Sequence, residues 1–341
     1  MKKINKDNFE FLKNSKVLVT GAGGFIGSHL IEALYKINCR EIKALVHYNS
    51  GNNWGNIEYL PNHIKTDLTI MLGDLRDMLC VKKAAKGMNV IFHLGAIISI
   101  PYSYLAPQSL LETNASGTLN ILQASLEEGV DKIIHTSTSE VYGSALYVPI
   151  DENHPLQAQS PYSASKIAAD KIAESYYRSF DLPVAVIRPF NTYGPRQSAR
   201  AIIPTILSQL LQKDNKKIKL GSLKPVRDLN YVEDIVKGFL LMAENERSIG
   251  KVINIGSGDG TSIKNLVIKI IDLFNSDVEI EVEKVRFRPE KSEVDKLICN
   301  NKKAKEILNW NPSVDLEEGL IRTKEYIENN IEKYKSKIYN I

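Results

Sequence analysis

The chain has 341 residues, of which 43% are hydrophobic and 25% are charged, and its formal net charge is +4. This composition is typical of a globular protein with one large domain or two joined ones, and the small net charge gives no reason to expect a nucleic-acid or membrane partner. The polar N-terminus lacks the apolar core of a signal peptide and no apolar run approaches the ~20 residues of a membrane helix, so a cytoplasmic location is predicted.

The first half of the chain alternates strand-like apolar runs with helical patterns. Helices are predicted at residues 25–35, 109–128 and 160–180. The predicted strands are residues 16–20, 41–47, 70–72, 90–94, 132–136 and 183–187. Because strands that are separated by helices form βαβ units, the pattern predicts an α/β protein with a Rossmann-type, doubly wound parallel sheet.

The second half is less regular. Its predicted elements are helices at 201–211 and 232–243, a buried strand at 251–255, a half-exposed strand at 278–285 and a polar terminal helix at 322–334. We expect residues 1–188 to form a dinucleotide-binding domain whose sheet is rejoined by residues 229–257. Residues 189–228 and 258–341 are then expected to form a smaller C-terminal, substrate-binding α/β region.

The segment from Gly21 to Gly27 (GAGGFIG) follows the first strand and opens a helix. In this setting Gly21 makes the tight turn, Gly24 lets the backbone approach a pyrophosphate, and Gly27 lets the helix pack close to the sheet. The free N–H groups at the helix start favour the anion. The segment therefore predicts a bound dinucleotide.

The identity of the dinucleotide stays open. Residues 46–50 (VHYNS), after the second strand, contain no acid to bind a ribose 2′-hydroxyl, so NAD⁺ and NADP⁺ are both possible. Asp74, after the third strand, is well placed to reach the adenine.

Tyr162 and Lys166 lie four residues apart on a predicted helix and share a face. Since a nearby ammonium favours tyrosinate, we expect the pKa of Tyr162 to be lowered. Such a tyrosine takes a proton from a hydroxyl while hydride leaves the same carbon. The hydroxyls of Ser137 and Thr138, at the end of the preceding strand, are placed to bind the same oxygen. The pattern indicates alcohol–ketone chemistry.

Seven stretches between residues 16 and 312 together resemble the extended branch of the short-chain dehydrogenase/reductase family, the nucleotide-sugar epimerases and dehydratases. They are VTGAGGFIGSHL, GDLRD, FHLGA, TSTSEVYG, PYSASK, RPFNTYGP and RDLNYVEDIV. The resemblance implies that Thr138, Tyr162 and Lys166 are the catalytic trio and that Asn114 supports the lysine through water. It also implies a tightly bound NAD⁺ or NADP⁺ that is regenerated each cycle, a nucleoside-diphosphate sugar as substrate, and a homodimer formed through a four-helix interface.

The resemblance also assigns binding residues. The cofactor set is Gly21, Gly24, Phe25, Ile26, Gly27, His47, Asn49, Asp74, Leu75, Leu94, Ala96, Asn114, Thr136, Tyr162, Lys166 and Pro189. The substrate set is Asn191, Arg196, Arg200, Arg227, Arg288 and Glu293. Arg227 and Arg288 match positions that hold the diphosphate through charge-assisted contacts. Arg196 and Arg200 follow the loop that builds the sugar pocket, and Glu293 is expected to meet the ribose.

The outcome of the reaction depends on Thr138, Ser139 and Glu140. Dehydratases of the family carry a carboxylate at the third position, where epimerases usually carry a small or hydroxyl residue. Once C4 of the sugar is a ketone, the C5 hydrogen is acidic and the C6 hydroxyl is a β-leaving group. A base at C5 then eliminates water, and the hydride taken from C4 returns to C6 to give a 4-keto-6-deoxy sugar.

Glu140 is the expected base. Many of these enzymes carry aspartate where this chain has Ser139, so the source of the proton for the leaving hydroxyl, Ser139 or Glu140, stays open.

Two readings of the Thr-Ser-Glu motif compete. It resembles GDP-mannose 4,6-dehydratases, and it also occurs in UDP-glucuronate decarboxylases. The longer stretches TSTSEVYGSA, VPIDENHPLQAQSPYSASKIAAD and RPFNTYGPRQSARAIIPTI resemble the 4,6-dehydratases of bacterial legionaminic-acid biosynthesis, which act on GDP-N-acetylglucosamine. We therefore expect a GDP-sugar 4,6-dehydratase of nonulosonic-acid or surface-glycan biosynthesis. The alternatives are a UDP-glucuronate decarboxylase, a nucleotide-sugar 4-epimerase and a non-catalytic nucleotide-sensing protein.

The spacing of cysteine, histidine and acidic residues predicts neither a disulfide framework nor a metal site. His47, His93 and His135 lie on apolar strands and are expected to be packed, hydrogen-bonded imidazoles.

Overall fold

The computed structural model describes residues 8–212, 215–336 and 338–340. Within them, seven parallel strands form a central sheet in the order β11-β6-β5-β4-β1-β2-β3. These strands are β1 (Lys16–Thr20), β2 (Glu41–His47), β3 (Thr69–Gly73), β4 (Val90–His93), β5 (Lys132–Thr136), β6 (Val184–Pro189) and β11 (Val252–Ile255). The predicted doubly wound parallel sheet is confirmed, and the late strand at 251–255 does return to its edge.

Helices cover both faces of this sheet. They are α1 (Glu10–Asn14), α2 (Phe25–Ile37), α3 (Asn62–Thr66), α4 (Met78–Ala85), α5 (Ile100–Leu105), α6 (Pro107–Leu110), α7 (Gly117–Glu128), α8 (Pro161–Phe180), α9 (Ile202–Leu210), α10 (Val232–Glu244), α11 (Ile263–Leu273), α12 (Lys302–Leu308) and α13 (Leu316–Glu328). Short 3₁₀ helices span Gly55–Tyr59, Ser139–Tyr142, Glu246–Ser248, Lys284–Arg286, Glu290–Ser292 and Ile331–Lys333.

The two faces of β1 show why its run of apolar residues is continuous. Val17 and Val19 pack into one core, which includes α2 and α10, while Leu18 packs into a second core with α4, α7 and α8. Successive side chains of a strand point to opposite faces, so a strand that is covered on both sides needs apolar residues at every position.

Three small sheets lie outside the central one. Their strands are β7 (Thr192–Tyr193), β8 (Lys217–Leu220), β9 (Val226–Asp228), β10 (Asn230–Tyr231), β12 (Gly260–Ser262), β13 (Glu279–Val282) and β14 (Lys296–Leu297). They pair as β10-β7, β12-β9-β14 and β13-β8. β9 is therefore the middle strand of a three-stranded sheet.

The predicted terminal helix at 322–334 is wrong in its bounds. The helix begins six residues earlier, at Leu316, because the Asp315 side chain accepts a hydrogen bond from Glu318 N and caps it. It ends at Glu328, and a separate 3₁₀ turn follows at Ile331–Lys333.

The predicted helix at 109–128 is not continuous α-helix. Residues Leu111–Ser116 form a π-helical segment between α6 and α7. Within it Asn114 accepts a hydrogen bond from Ile97 N (2.8 Å) and donates one to Ser165 Oγ on α8 (2.9 Å). A π segment is a frequent marker of a functional site, and here it turns an asparagine toward the helix that carries Tyr162 and Lys166.

Among the described helices, none is long and apolar enough to cross a membrane. The same residues contain no group of three or more His, Cys, Asp and Glu side chains arranged to hold a metal ion.

Candidate active site

The carboxyl ends of β1, β4, β5 and β6 meet at one edge of the sheet. The strand order reverses beside β1, between β4 on one side and β2 on the other. In open parallel sheets, such a switch point is the crevice in which ligands bind. The glycine turn, the Thr138–Glu140 segment and the start of α8 all face this edge because each follows, or packs on, one of these strand ends.

The glycine turn is shaped by contacts that exclude side chains. Gly21 has a φ of +66°, and a Cβ there would lie 2.8 Å from Gly95 N. A Cβ on Gly27 would lie 2.3 Å from Gly21 O, which explains the close approach of α2 to the turn. Gly24 is the N-cap of α2 and has no side chain to cap it, so the first N–H groups of the helix remain for an anion.

A second loop, residues 49–60, wraps the glycine turn and was not foreseen from the sequence. Asn56 N donates to Gly23 O (2.8 Å), and a Cβ on Gly23 would lie 2.5 Å from Trp54 O. Asn49, an expected cofactor residue, bonds within this loop through its side chain, to the backbone of Asn53. The signal was the run of glycine and asparagine after β2, which favours a tight loop.

His47 lies at the carboxyl end of β2 and its side chain is 73% exposed. The prediction that it is a packed imidazole is therefore wrong, because the strand ends there and the last side chain leaves the core. Its Nε2 lies 3.7 Å from Asp74 Oδ2, and Asp74 also binds Arg76 in an ion pair. The Arg76 hydrogen bond, opposed in part by burial, lowers the pKa of Asp74.

Other expected cofactor residues line the same edge. Leu75 packs against Gly95 and Gly117, and Leu94 and Ala96 flank Gly95 in the loop after β4. Phe25 and Ile26 start α2, and Pro189 ends β6.

The expected catalytic pair lies at the first turns of α8. The helix begins after Ser160, whose side chain accepts from Ser163 N, while the Ser163 side chain accepts from Ser160 N. This capping box fixes the helix start. Tyr162 and Lys166 are then buried on one face, at 6% and 4% exposure.

Lys166 reaches the end of β5. Its Nζ donates to Thr136 O (2.6 Å), and the neighbouring Thr136 Oγ1 is buried with no hydrogen-bond partner in the part of the chain that the structure describes. Tyr162 shares a hydrogen bond with the Thr138 side chain. The structure thus brings together the three residues of the expected trio.

The expected lowering of the Tyr162 pKa is wrong for this structure. Burial raises the pKa of Tyr162 above its usual range, and the bond with Thr138 opposes this while the Glu140 carboxylate adds to it. The physical reason is that desolvation dominates, and that Lys166 directs its ammonium to a backbone carbonyl. Burial also lowers the pKa of Lys166 to about 8, and Asp170 acts in the opposite direction.

Asp170 was missed by the sequence analysis. It lies one turn after Lys166 and is 3% exposed. Its oxygens accept from Ser137 Oγ (2.7 Å) and Arg188 Nη2 (2.9 Å) and lie 3.2 Å from His135 Nε2. Burial would raise the pKa of Asp170, but these partners lower it to about 2. Since Ser137 is engaged here, Thr138 is the hydroxyl left beside Tyr162.

The two other histidines on strands, His93 and His135, are buried as expected. His93 contacts the side chains of Thr20 and Thr118, whereas His135 Nδ1 has no hydrogen-bond partner within residues 8–212, 215–336 and 338–340.

Glu140 stands beside the trio on the 3₁₀ helix Ser139–Tyr142. Thr138 caps this helix by accepting from Glu140 N (3.2 Å), and Ser139 is buried at 3% exposure. The Glu140 side chain is 12% exposed. The carboxylate is thus largely removed from solvent and lies close enough to Tyr162 to influence its pKa.

Two arginines and Glu293 close the site from the C-terminal half. Arg288 Nη1 lies 3.8 Å from Glu140 Oε2 and 3.8 Å from Glu293 Oε1. Arg227, on β9, lies 3.6 Å from the same Glu293 oxygen. Asn191, after β6, has a buried side-chain oxygen that finds no hydrogen-bond donor among the described residues. Four of the expected substrate residues therefore lie near Glu140 or at the end of β6. They are Asn191, Arg227, Arg288 and Glu293.

Arg196 and Arg200 are not part of this group. Arg196 is buried in an ion pair with Glu32 of α2, and it donates to His29 Nε2 (3.3 Å). Arg200 bonds to Ser198 and lies beside Arg286 at a separate small cavity. Their predicted contacts with substrate stay predictions.

Comparison with known proteins agrees with this architecture. A family model described as GDP-mannose 4,6 dehydratase matches residues 18–323. A putative UDP-glucose 4-epimerase of Methanocaldococcus jannaschii is 33% identical over 319 residues, 92% of this chain and 99% of that protein. The dTDP-glucose 4,6-dehydratase of Streptomyces antibioticus is also 33% identical, over 92% of each protein.

A solved structure gives the same result. DesIV, a dTDP-glucose 4,6-dehydratase from Streptomyces venezuelae with NAD bound, has a TM-score of 0.84 and 28% identity, over 94% of this chain and 99% of that one. These relatives include dehydratases and an epimerase, which share nucleotide-sugar chemistry and differ in its outcome. The chain therefore belongs to the extended short-chain dehydrogenase/reductase family of nucleotide-sugar dehydratases and epimerases.

Proposed function

We propose that the protein is a nucleotide-sugar 4,6-dehydratase. The observation that carries the proposal is Glu140, a largely buried carboxylate two residues after Thr138 and beside Tyr162. Inverting a C4 alcohol needs a tyrosine, a hydroxyl and a dinucleotide, but no such carboxylate. Removing a proton from C5 needs a base at this place.

The cofactor of this proposal is NAD⁺ or NADP⁺. Three features fit a bound dinucleotide. A Cβ on Gly24 would meet Gly21 O at 3.0 Å and would otherwise face open space, and the N-terminus of α2 has no side-chain cap. Thr136 Oγ1, beside Lys166, has no hydrogen-bond partner among the described residues. When bound, the nicotinamide supplies the acceptor for the C4 hydride and its return to C6.

The chain's own residues move the protons. Tyr162, as tyrosinate, receives the proton of the C4 hydroxyl, and Thr138 binds the same oxygen. Lys166 lies on the same helix face, but its ammonium donates to Thr136 O in this structure. Because burial raises the Tyr162 pKa, formation of the tyrosinate requires that Lys166 turn toward the tyrosine or that bound ligands bring positive charge.

Glu140 takes the C5 proton in the second step. Ser139 is buried, and a serine hydroxyl is a poor acid at neutral pH. We therefore assign to Glu140 both the removal of the C5 proton and its delivery to the C6 oxygen, which leaves as water. C5 then takes a proton from solvent as the hydride adds to C6.

The substrate we favour is GDP-N-acetylglucosamine. This assignment rests on the resemblance of residues 136–145 and 148–170 to the legionaminic-acid enzymes, and it favours a role in nonulosonic-acid or surface-glycan biosynthesis. Arg227 and Arg288 are buried or half-buried cations near Glu140 and suit a diphosphate. We also propose a homodimer in which α7 and α8 of two copies meet.

The replacement of Glu140 by glutamine tests the base assignment. The variant keeps the shape of the side chain but cannot accept a proton, so we expect hydrogen–deuterium exchange at C5 to fall by about 10²- to 10⁴-fold. NMR of the sugar in D₂O measures this exchange, and absorbance of the bound nicotinamide reports whether C4 is still oxidised. Glu290→Gln, an exposed change on the same side of the molecule, is the control.

Wild-type exchange at C5 in Glu140→Gln contradicts the assignment. The wild-type enzyme is assayed in parallel. Release of carbon dioxide from UDP-glucuronate would indicate a decarboxylase instead of a dehydratase, and a product of unchanged mass would indicate an epimerase.

A further inference from the structure

Glu140 and Glu293 share one cation. Arg288 Nη1 lies at the same distance, 3.8 Å, from an oxygen of each carboxylate. This nitrogen is fully buried and has no hydrogen-bond partner among the described residues. The guanidinium is thus held between two carboxylates by charge, without a directional bond to either.

Arg227 differs from Arg288 in how it is held. Its Nη1 donates to Val226 O (3.0 Å), and its side chain is 7% exposed, against 26% for Arg288. The third member of the cluster, Glu293, is therefore flanked by one arginine that is tied to the backbone and one that is not. Of the two, Arg288 is the cation that can change partners at low cost.

We propose that Arg288 exchanges partners when substrate binds: the diphosphate draws it from Glu140 and Glu293, and Glu140 is thereby released to act on the sugar. Glu293 is in this view a competitor of the diphosphate for Arg288, not a ligand of the substrate ribose. The release of Glu140 for catalysis rests on the proposed function, because it requires Glu140 to be the base. The exchange of partners by Arg288 does not depend on the proposed function.

Two physical arguments support the exchange. A diphosphate carries more charge than one carboxylate and offers a guanidinium paired oxygens, so it forms the stronger, bidentate contact. A Glu140 oxygen that faces Arg288 at 3.8 Å is also less free to contact a sugar. Departure of Arg288 on substrate binding would therefore leave this oxygen open to the sugar only when a sugar nucleotide is present.

The position of the cluster is well defined in the fold. Ser292 Oγ donates to Gln159 O (2.5 Å) and bonds with Tyr104 Oη (2.6 Å), which ties the segment around Glu293 to α5 and to the entrance of α8. Arg288 and Glu293 are thus anchored next to α8, although they follow its last residue by more than 100 positions in the chain.

Nucleotide binding without turnover tests the exchange. Isothermal titration with GDP, and separately with UDP, gives the Kd for wild type, Glu293→Gln, Glu140→Gln and the control Glu290→Gln. Each of the first two substitutions removes one competing carboxylate, so we expect the Kd of the better-bound nucleotide to fall by about fivefold or more, within the usual range of coupling between sites. Glu290→Gln should bind like wild type.

The tighter nucleotide binding must also depend on Arg288. In an Arg288→Gln background, addition of Glu293→Gln is expected to leave the Kd within about twofold of the single variant. Weaker or unchanged binding by Glu293→Gln overturns the proposal, and weaker binding is the result that a glutamate bound to the ribose would give. The proposal is also overturned if Glu293→Gln still lowers the Kd in the Arg288→Gln background.

Two safeguards keep the result interpretable. Thermal unfolding identifies any variant that does not fold, and the Glu140→Gln titration then carries the test without Glu293→Gln. Since GDP and UDP contain no sugar, these binding data do not depend on catalysis. A failure of the dehydratase assignment appears in the C5 exchange of Glu140→Gln, and a failure of the partner exchange appears in the Kd values.

Discussion

At Lys166, burial and a buried carboxylate act on one ammonium group in opposite directions. Burial lowers its pKa to about 8, and Asp170, one helical turn away, works against this lowering. The imidazoles of His93 and His135 are also close, but burial lowers the pKa of both, so near neutral pH they add no charge. Asp170 thus acts through Lys166 and is a positioning residue for the trio.

Replacement of Asp170 by asparagine tests this role. The folded pKa of Lys166 is below its usual value, so the ammonium is present below about pH 8 and lost above it. Without Asp170 the pKa falls further, and the alkaline limb of the kcat/KM–pH profile should move to lower pH by about one unit. Glu174→Gln, on the surface of the same helix, should leave the limb in place.

An unmoved alkaline limb in Asp170→Asn contradicts the role. Because the variant leaves Arg188 without its buried partner, a loss of stability of about 3–5 kcal/mol is also expected, so the profile is measured well below the unfolding temperature.

Several site residues could be predicted from the sequence because their positions follow from local geometry. Tyr162 and Lys166 share a helix face, and Thr138 follows a strand that ends at the same edge. The ion pair of Asp170 with Arg188 could not be predicted in this way. In a sequence, a charged residue on an amphipathic helix looks like a surface charge, and its burial depends on which strand it packs against.

At the level of helices, the interface proposed for the dimer is carried by α7, α8 and the π segment between α6 and α7. Leu111 and Leu119 are 53% and 41% exposed on this side, and Ala164 of α8 is also exposed. Large apolar side chains that stay exposed on neighbouring helices are typical of an interaction surface.

A charge on this surface should separate the dimer. We expect Leu119→Arg to sediment as a monomer at concentrations where wild type is dimeric, because the arginine would be desolvated in the interface. Sedimentation velocity measures the change. Ile268→Arg, on α11 and 40% exposed, is the matched control and should keep the wild-type state. Equal sedimentation of wild type and Leu119→Arg contradicts this interface.

The helix pattern in the sequence predicted most of these elements but not the π segment. Apolar periodicity at 109–128 was compatible with one α-helix, and the extra residue of a π turn changes the phase by too little to be seen over twenty residues. The cause, a set of hydrogen bonds from Asn114 to Ile97 and Ser165, is a tertiary contact. Local propensity contains no information about it.

On the scale of the whole molecule, the site combines the ends of the parallel strands with residues from the less regular C-terminal half. Glu140 follows β5, Arg227 lies on β9, and Arg288 and Glu293 follow β13. The alternation of strands and helices predicted the sheet that gathers the first group. The positions of the C-terminal residues Arg227, Arg288 and Glu293 depend on small sheets with two to four residues per strand. Strands this short show no periodicity in the sequence from which their pairing could be predicted.

In the proposed reaction, one molecule of sugar nucleotide is oxidised at C4, loses water between C5 and C6, and regains its own hydride. Incubation of wild-type protein with GDP-N-acetylglucosamine that carries deuterium at C4, followed by mass spectrometry and NMR of the product, tests it most directly. We expect a product lighter by one water, with the deuterium at C6. A product of unchanged mass, or a dehydrated product without deuterium at C6, would contradict it.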